Sequence, residues 1–275
     1  MKKTVIVIKP KKNIFSRDLR EIWSYRELFY NFAWRNIKVR YKQTFLGVSW
    51  AILQPLVSML IFTVFFGNLA KIPSGTLPYP VFVLCGLVFW NFFSNAVSQA
   101  SNSLVDNQHI IQKVYLPKII LPISSVITST VDFLINLILL AIVLIIFKQT
   151  PSWNLLLVIP LAWVVSVIGA TGIGLFLSAL NVKYRDVRYA LPFFIQMMIF
   201  VSPVIYGTNI VRDSNKLIMA LNPMTGVIEA VRVSVAGLTS FNWQLITISV
   251  VSSFLVFFFG IFYFNKTERF FADIV

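Results

Sequence analysis

Acidic side chains are scarce: ten Asp and Glu stand against 24 Lys and Arg in 275 residues, and all charged residues together make up only 12%. Soluble domains carry roughly 25%. Cysteine occurs once, at Cys85, and histidine once, at His109. That excludes an internal disulfide and a cysteine-based metal site, and leaves a packing thiol and a surface imidazole as the plain readings. There is no GxxxxGK[ST] phosphate loop, no HExxH and no GxSxG, so the local signatures of nucleotide binding, zinc peptidases and serine hydrolases are missing. No catalytic, cofactor-binding or metal-ligating residue is assigned. Internal repeats are absent too, which counts against an inverted-repeat secondary transporter. The apolar run at residues 5–8 falls short of the ~7–15 residues of a signal-peptide core, so membrane insertion is expected to rely on internal spans.

Apolar surface, by contrast, is plentiful. Hydrophobic residues make up 57% of the chain, above the roughly 45–50% of soluble proteins, so part of the solvent must be lipid. Six stretches approach the ~20 residues of a bilayer-spanning helix: 48–69, 79–97, 119–147, 155–180, 191–205 and 245–264. The pattern predicts an all-α integral membrane protein with six transmembrane helices. Residues 1–22 form a cytoplasmic tail. Residues 23–275 form a single transmembrane domain, with an interfacial helix at 23–42, the spans within 48–264 and a second cytoplasmic tail at 265–275. With the N-terminus inside, 19 Lys and Arg lie on the cytoplasmic side and five, Lys71, Lys148, Arg212, Lys216 and Arg232, lie outside. This asymmetry places both termini in the cytoplasm. It also accounts for the net charge of +14, 12 of whose basic residues precede residue 45, without a nucleic-acid partner.

Within 23–42, Glu27, Asn31, Arg35, Lys38 and Lys42 recur every three or four residues, and Tyr25, Leu28, Phe29, Phe32, Ala33, Ile37 and Tyr41 fill much of the other side. This predicts a basic amphipathic helix in the headgroup plane, in contact with membrane lipids. Residues 206–244 carry Pro223, Gly207, Gly226 and Gly237 around a semi-apolar stretch. Re-entrant outer helices between spans five and six are expected there, lying against protein or a water-filled cavity. Asp132 and Asn136, one turn apart in the third span, form a possible intramembrane polar site; the plainer reading is a hydrogen bond between helices. Tyr184, Arg185 and Asp186 form a cytoplasmic loop after the fourth span, where opposite charges are expected to pair locally and orient the chain.

Six motifs then stand in order: RNIKVRYKQTFLGVSWAILQP (35–55), PYPVFVLCGLVFWNFF (78–93), SLVDNQHIIQKVYLPKIILP (103–122), VKYRDVRY (182–189), LNPMTGVIEAVR (221–232) and FNKTERFFADIV (264–275). Together they resemble the membrane subunit of the polysaccharide ABC exporters, which move O-antigen, capsule and teichoic acid chains. The resemblance covers nearly everything after Leu28. It implies a homodimer joined to two copies of a separate ATP-binding subunit, in the bacterial cytoplasmic (inner) membrane. The cofactors, ATP and Mg, belong to that partner. It also implies a polysaccharide carried on polyprenyl pyrophosphate. By the same similarity, Asn107, Gln108, His109, Ile110, Ile111, Gln112 and Lys113 form the helix that couples to the ATPase.

A pyrophosphate is a dense anion, and arginine's planar fork suits its oxygens. Arg35, Arg40 and Lys42, just ahead of the first span, are the candidates to receive it; general attraction to anionic lipid is the alternative. Rival functions are an ABC exporter of small molecules or simple lipids, a secondary transporter and a membrane glycosyltransferase. The last would need a cytoplasmic acidic cluster that the sequence lacks.

Overall fold

The computed structural model describes residues 25–42, 48–113 and 116–268. The expected N-terminal tail and most of the expected C-terminal tail lie outside them. All regular structure among the described residues is helical: α1 (Arg26–Lys42), α2 (Val48–Phe62, running on as a π-helical turn, Thr63–Leu69), α3 (Tyr79–Asp106), α4 (Gln108–Lys113), α5 (Ile120–Ile146), α6 (Leu155–Lys183), α7 (Val187–Val201), α8 (Asp213–Ala220), α9 (Pro223–Val235) and α10 (Trp243–Thr267). Five helices are long and apolar enough to cross a bilayer: Ser49–Leu69, Tyr79–Asp106, Ile120–Ile146, Leu155–Lys183 and Trp243–Thr267. The remaining expected span, 191–205, takes the form of α7, whose 15 residues reach about 22 Å at 1.5 Å each. That is about three-quarters of the ~30 Å hydrocarbon core.

Helix α3 is the axis of the bundle. Pro78 caps it and Pro80 sits in its first turn, where a missing N–H costs nothing. Nearly every residue from Val81 to Phe93 is buried, because α5, α6, α7 and α9 pack around it. Phe89 and Phe92 close on Phe133 of α5 at ring-centroid distances of 5.1 and 5.3 Å. Helices α6 and α10 meet backbone to backbone: a Cβ at Gly172 would lie 2.5 Å from Phe257 Cα, and one at Gly260 would overlap the Gly172 carbonyl. Small residues permit this approach where lipid gives helices no hydrophobic reason to associate.

Helices α3, α5 and α6 have 28, 27 and 29 residues, about 40–43 Å at 1.5 Å per residue, some 10 Å more than the hydrocarbon needs. The surplus falls at the end that carries Asp106, Lys113 and Lys183, where polar groups gather. Gln99 of α3 donates to Ser129 of α5 at 3.1 Å, and Asn181 of α6 donates to the Ser101 carbonyl at 3.0 Å. Hydropathy alone ends the second span at residue 97, yet the helix runs nine residues further, to Asp106. The chain then turns into α4.

Several helices keep large apolar faces outside the bundle, α2 and α7 among them. Trp50, Val57, Leu60 and Phe65 of α2 are exposed, as are Phe193, Phe194, Met197 and Phe200 of α7. Such surfaces persist only in lipid or against another protein.

Candidate functional site

Helix α1 has its apolar side on protein. Phe32 and Ala33 are buried, and Tyr25, Leu28 and Phe29 pack on a cluster of Leu104, Ile119, Ile120, Leu121, Leu175 and Phe264. The face expected to meet lipid therefore rests on the polar-ended side of the bundle. Tyr30 and Trp34 stack with ring planes 7° apart on the exposed face, and Lys38 Nζ lies 5.5 Å from the Trp34 ring.

The three basic residues proposed for a headgroup do not form one patch. Arg35 and Lys42 are two turns apart and share a side of the helix, whereas Arg40 is rotated from them by about 140°. Arg35 donates to Asn107 Oδ1 at 2.5 Å, which ties α1 to the corner between α3 and α4. Its guanidinium also lies 5.0 Å from the Phe32 ring. Lys42 is exposed. Arg40 turns inward: its Nη1 lies 2.6 Å from Asp132 Oδ2 in α5. The other carboxylate oxygen accepts the Tyr41 hydroxyl. Burial first, then the hydrogen bond and charge of Asp132, push the Tyr41 phenol far above its ordinary range, against the smaller opposing pull of Arg40; Tyr41 is therefore a permanent donor.

Asp132 thus joins two of the sequence-derived groups into one site. Its side chain is 7% exposed, while that of Arg40 keeps 36%. Asn136 lies one turn deeper on the same side of α5, also buried, and its Oδ1 has no hydrogen-bond partner among the described residues. Sequence reasoning found Asp132 and Asn136 by their spacing but missed Tyr41 as a polar partner. Its place in an apolar stripe hid the hydroxyl.

The expected coupling segment is a short helix. Ile110 and Ile111 tuck against the bundle, while His109, Gln112 and Lys113 are exposed, and Gln108 is half-buried at its start. Asn107 holds the corner by donating to the Ser103 carbonyl at 2.7 Å. In the loop between α6 and α7, Tyr184 is exposed, and Lys183 Nζ sits 4.9 Å from its ring. Asp186 opens α7, its carbonyl accepting from Tyr189 and Ala190 at 3.0 Å. Arg185 is exposed. The ion pair that orients this loop comes from a neighbour: Arg188 meets Asp106 at 3.2 Å, joining α7 to the end of α3.

At the far end of the bundle, α7 stops and the chain turns through residues 202–206 before α8. Arg232 of α9, counted from the sequence among the outer charges, is 5% exposed. It donates to the carbonyls of Phe82 (3.1 Å), Pro203 (2.6 Å), Val204 (2.6 Å) and Tyr206 (3.3 Å). Its guanidinium lies 3.5 Å from the Phe82 ring centroid. Tyr79 donates to the Ile205 carbonyl at 2.8 Å, and Asn222 to Ser202 Oγ at 2.7 Å. The non-helical turn is thereby satisfied by protein groups, the condition for irregular backbone at membrane depth. Between α3, α6, α7 and the α8–α9 corner lies an almost wholly apolar groove of about 610 Å³, lined by Trp90, Phe93, Phe194, Met198, Ile218 and Leu221 among others. Among the described residues no His, Cys, Asp or Glu cluster is suited to a metal.

A long-helix bundle with an amphipathic helix docked at one end, a short exposed helix beside it and a satisfied broken turn at the other is the architecture of a transporter membrane domain. The family described as ABC-2 type transporter matches residues 27–236, and the chain belongs to it. Among curated proteins, the chain is similar to the O-antigen export system permease protein RfbA of Myxococcus xanthus, 29% identical over 215 residues, covering 77% of this chain and 81% of that one. It is similar to the protein of the same name from Klebsiella pneumoniae, 27% identical over 241 residues and covering 88% and 92%. The polysialic acid transport protein KpsM of Escherichia coli is 25% identical over 205 residues, covering 73% and 78%.

Proposed function

We propose that this chain is the permease of an ATP-driven exporter that carries a polysaccharide linked to polyprenyl pyrophosphate across the bacterial inner membrane. It works as a homodimer with two copies of a separate ATP-binding subunit, which holds the ATP and Mg; this chain performs no covalent chemistry. The O-antigen and polysialic acid relatives support the cargo class. The single observation that carries the coupling is the Arg35–Asn107 bond. It links the short exposed helix α4 directly to α1, so a push on α4 from an ATPase reaches the helix beside the lipid entrance. The exposed faces of α2 and α7 suit a second copy, with aromatic side chains lining the path between the two. O-antigen-like and teichoic-acid-like chains share the chemistry of a polymer on a pyrophosphate lipid.

Depletion of the protein in its own cell, followed by analysis of glycans released from polyprenyl pyrophosphate, tests this. A long lipid-linked polymer should accumulate in the inner membrane. An unchanged lipid-linked pool and an unchanged cell surface would favour a small-molecule or simple-lipid exporter instead.

A further inference from the structure

The Arg40–Asp132 pair stands at the polar-to-apolar boundary of the bundle, one turn on the apolar side of the Gln99–Ser129 bond. An anionic headgroup approaching α1 from the inner leaflet meets a guanidinium that already has a counter-ion. Resting on the lipid-linked reading above, the geometry points to Asp132 as a selector among anionic headgroups: it occupies Arg40 until a headgroup bearing more than one negative charge displaces it.

Three features make the exchange physical. The carboxylate is fixed in protein at 7% exposure, while Arg40 remains reachable at 36%. Tyr41 donates to the other carboxylate oxygen, so Asp132 keeps a partner when Arg40 lets go. Asn136 Oδ1, buried one turn deeper with no hydrogen-bond partner among the described residues, is an acceptor open to a water that enters as Arg40 lets go, and buried polar atoms left unpaired are rare enough to call for an explanation.

Selection follows from charge. A phosphodiester lipid carries one negative charge, as Asp132 does. Exchanging one for the other gains nothing and leaves a carboxylate uncompensated at the hydrocarbon edge, which is costly. A pyrophosphate carries at least two charges and offers several oxygens to the planar fork. Bulk anionic phospholipid is thus refused by a built-in competitor, a repulsive element as much as an attractive one. Asp132 acts through Arg40 and is a positioning residue for headgroup choice.

The test uses the complex of this chain with its ATP-binding partner in phosphatidylcholine nanodiscs. These are titrated separately with a long-chain polyprenyl pyrophosphate and with phosphatidylglycerol, and bound lipid is counted by native mass spectrometry. Wild type prefers the pyrophosphate. Asp132→Asn keeps the shape but removes the competitor, and narrows that preference by about tenfold, chiefly through tighter phosphatidylglycerol binding. Tyr41→Phe removes the donor that holds the released carboxylate and weakens both lipids together. An assembled Asp132→Asn complex with an unchanged preference overturns the inference. So does Tyr41→Phe binding both lipids as wild type does, a check that stands even where Asp132→Asn fails to assemble. A wild type with no preference for the pyrophosphate overturns the lipid-linked reading itself.

Discussion

Two arginines are drawn into this protein, at opposite ends, by different means. Arg40 meets a carboxylate at the end of the bundle that carries Asp106 and Lys183, and keeps a third of its surface. Arg232 is almost fully enclosed, with four carbonyls and an aromatic face around it and, among the described residues, no carboxylate bonded to it. A charge balanced by another charge can change partners, because any anion of sufficient charge substitutes for the first. A charge balanced by backbone dipoles has nothing to exchange. It fixes the backbone that supplies them, here the turn at 202–206 that lets the chain pass from α7 to α8–α9. The Arg40 site is built to switch, and the turn around Arg232 is built to hold.

Arg232→Met should break the comparison most severely. It strands the turn carbonyls of Pro203, Val204 and Tyr206, each costing about 1–3 kcal/mol when buried and unpaired. The protein should fail to accumulate in the membrane, as read by quantitative immunoblot. Arg232→Lys should be nearly as damaging, because a point charge with three donors cannot reproduce the fork.

At the Arg40–Asp132 pair the effects should be smaller and reversible. Arg40→Ala leaves Asp132 without its counter-ion and should lower thermal stability in detergent by about 1–3 kcal/mol, less than for a fully buried pair because Arg40 is partly exposed. Adding Asp132→Leu should recover part of that loss, a coupling of at least about 0.5 kcal/mol in a double-mutant cycle. Simple addition of the two losses would show that the pair is incidental. Tyr41→Phe should be the mildest, about 0.5–1.5 kcal/mol for one hydrogen bond.

The contact proposed to carry coupling lies at the same end as Arg40, at the corner between α3 and α4. Arg35→Ala should leave the fold intact and uncouple ATP hydrolysis from export, seen as retained ATPase activity of the complex with a several-fold drop in surface polymer. The bond it removes is an exposed one, worth little to stability.

The comparison also shows what a sequence displays and what it hides. Hydropathy located the long spans because a bilayer imposes length and apolarity on a helix. It cut α3 short, because Ser98, Gln99, Ser101, Asn102 and Ser103 read as the end of a span, whereas the helix continues past the hydrocarbon, with the Gln99 side chain bonded to α5 and the Asn102 side chain to α6. Asp132 and Asn136 were legible as one face from their spacing. Their partner was not, since Arg40 lies 92 residues earlier and an arginine before a first span defaults to the surface. Arg232 was counted as an outer charge for the same reason. Its true surroundings are carbonyls, which carry no mark in a sequence. The Arg185–Asp186 pair that adjacency suggested gave way to Arg188–Asp106, because a neighbour one turn along the helix can reach another element.

The most direct measurement of the central claim is transport itself. The complex, reconstituted in inverted vesicles, is given a polyprenyl-pyrophosphate-linked glycan in the outer-facing leaflet and challenged with a glycosidase. The glycan should become protected only when ATP is supplied. Protection that develops equally without ATP, or no protection at all with an active ATPase, would contradict the assignment of this chain as an ATP-driven exporter of lipid-linked polysaccharide.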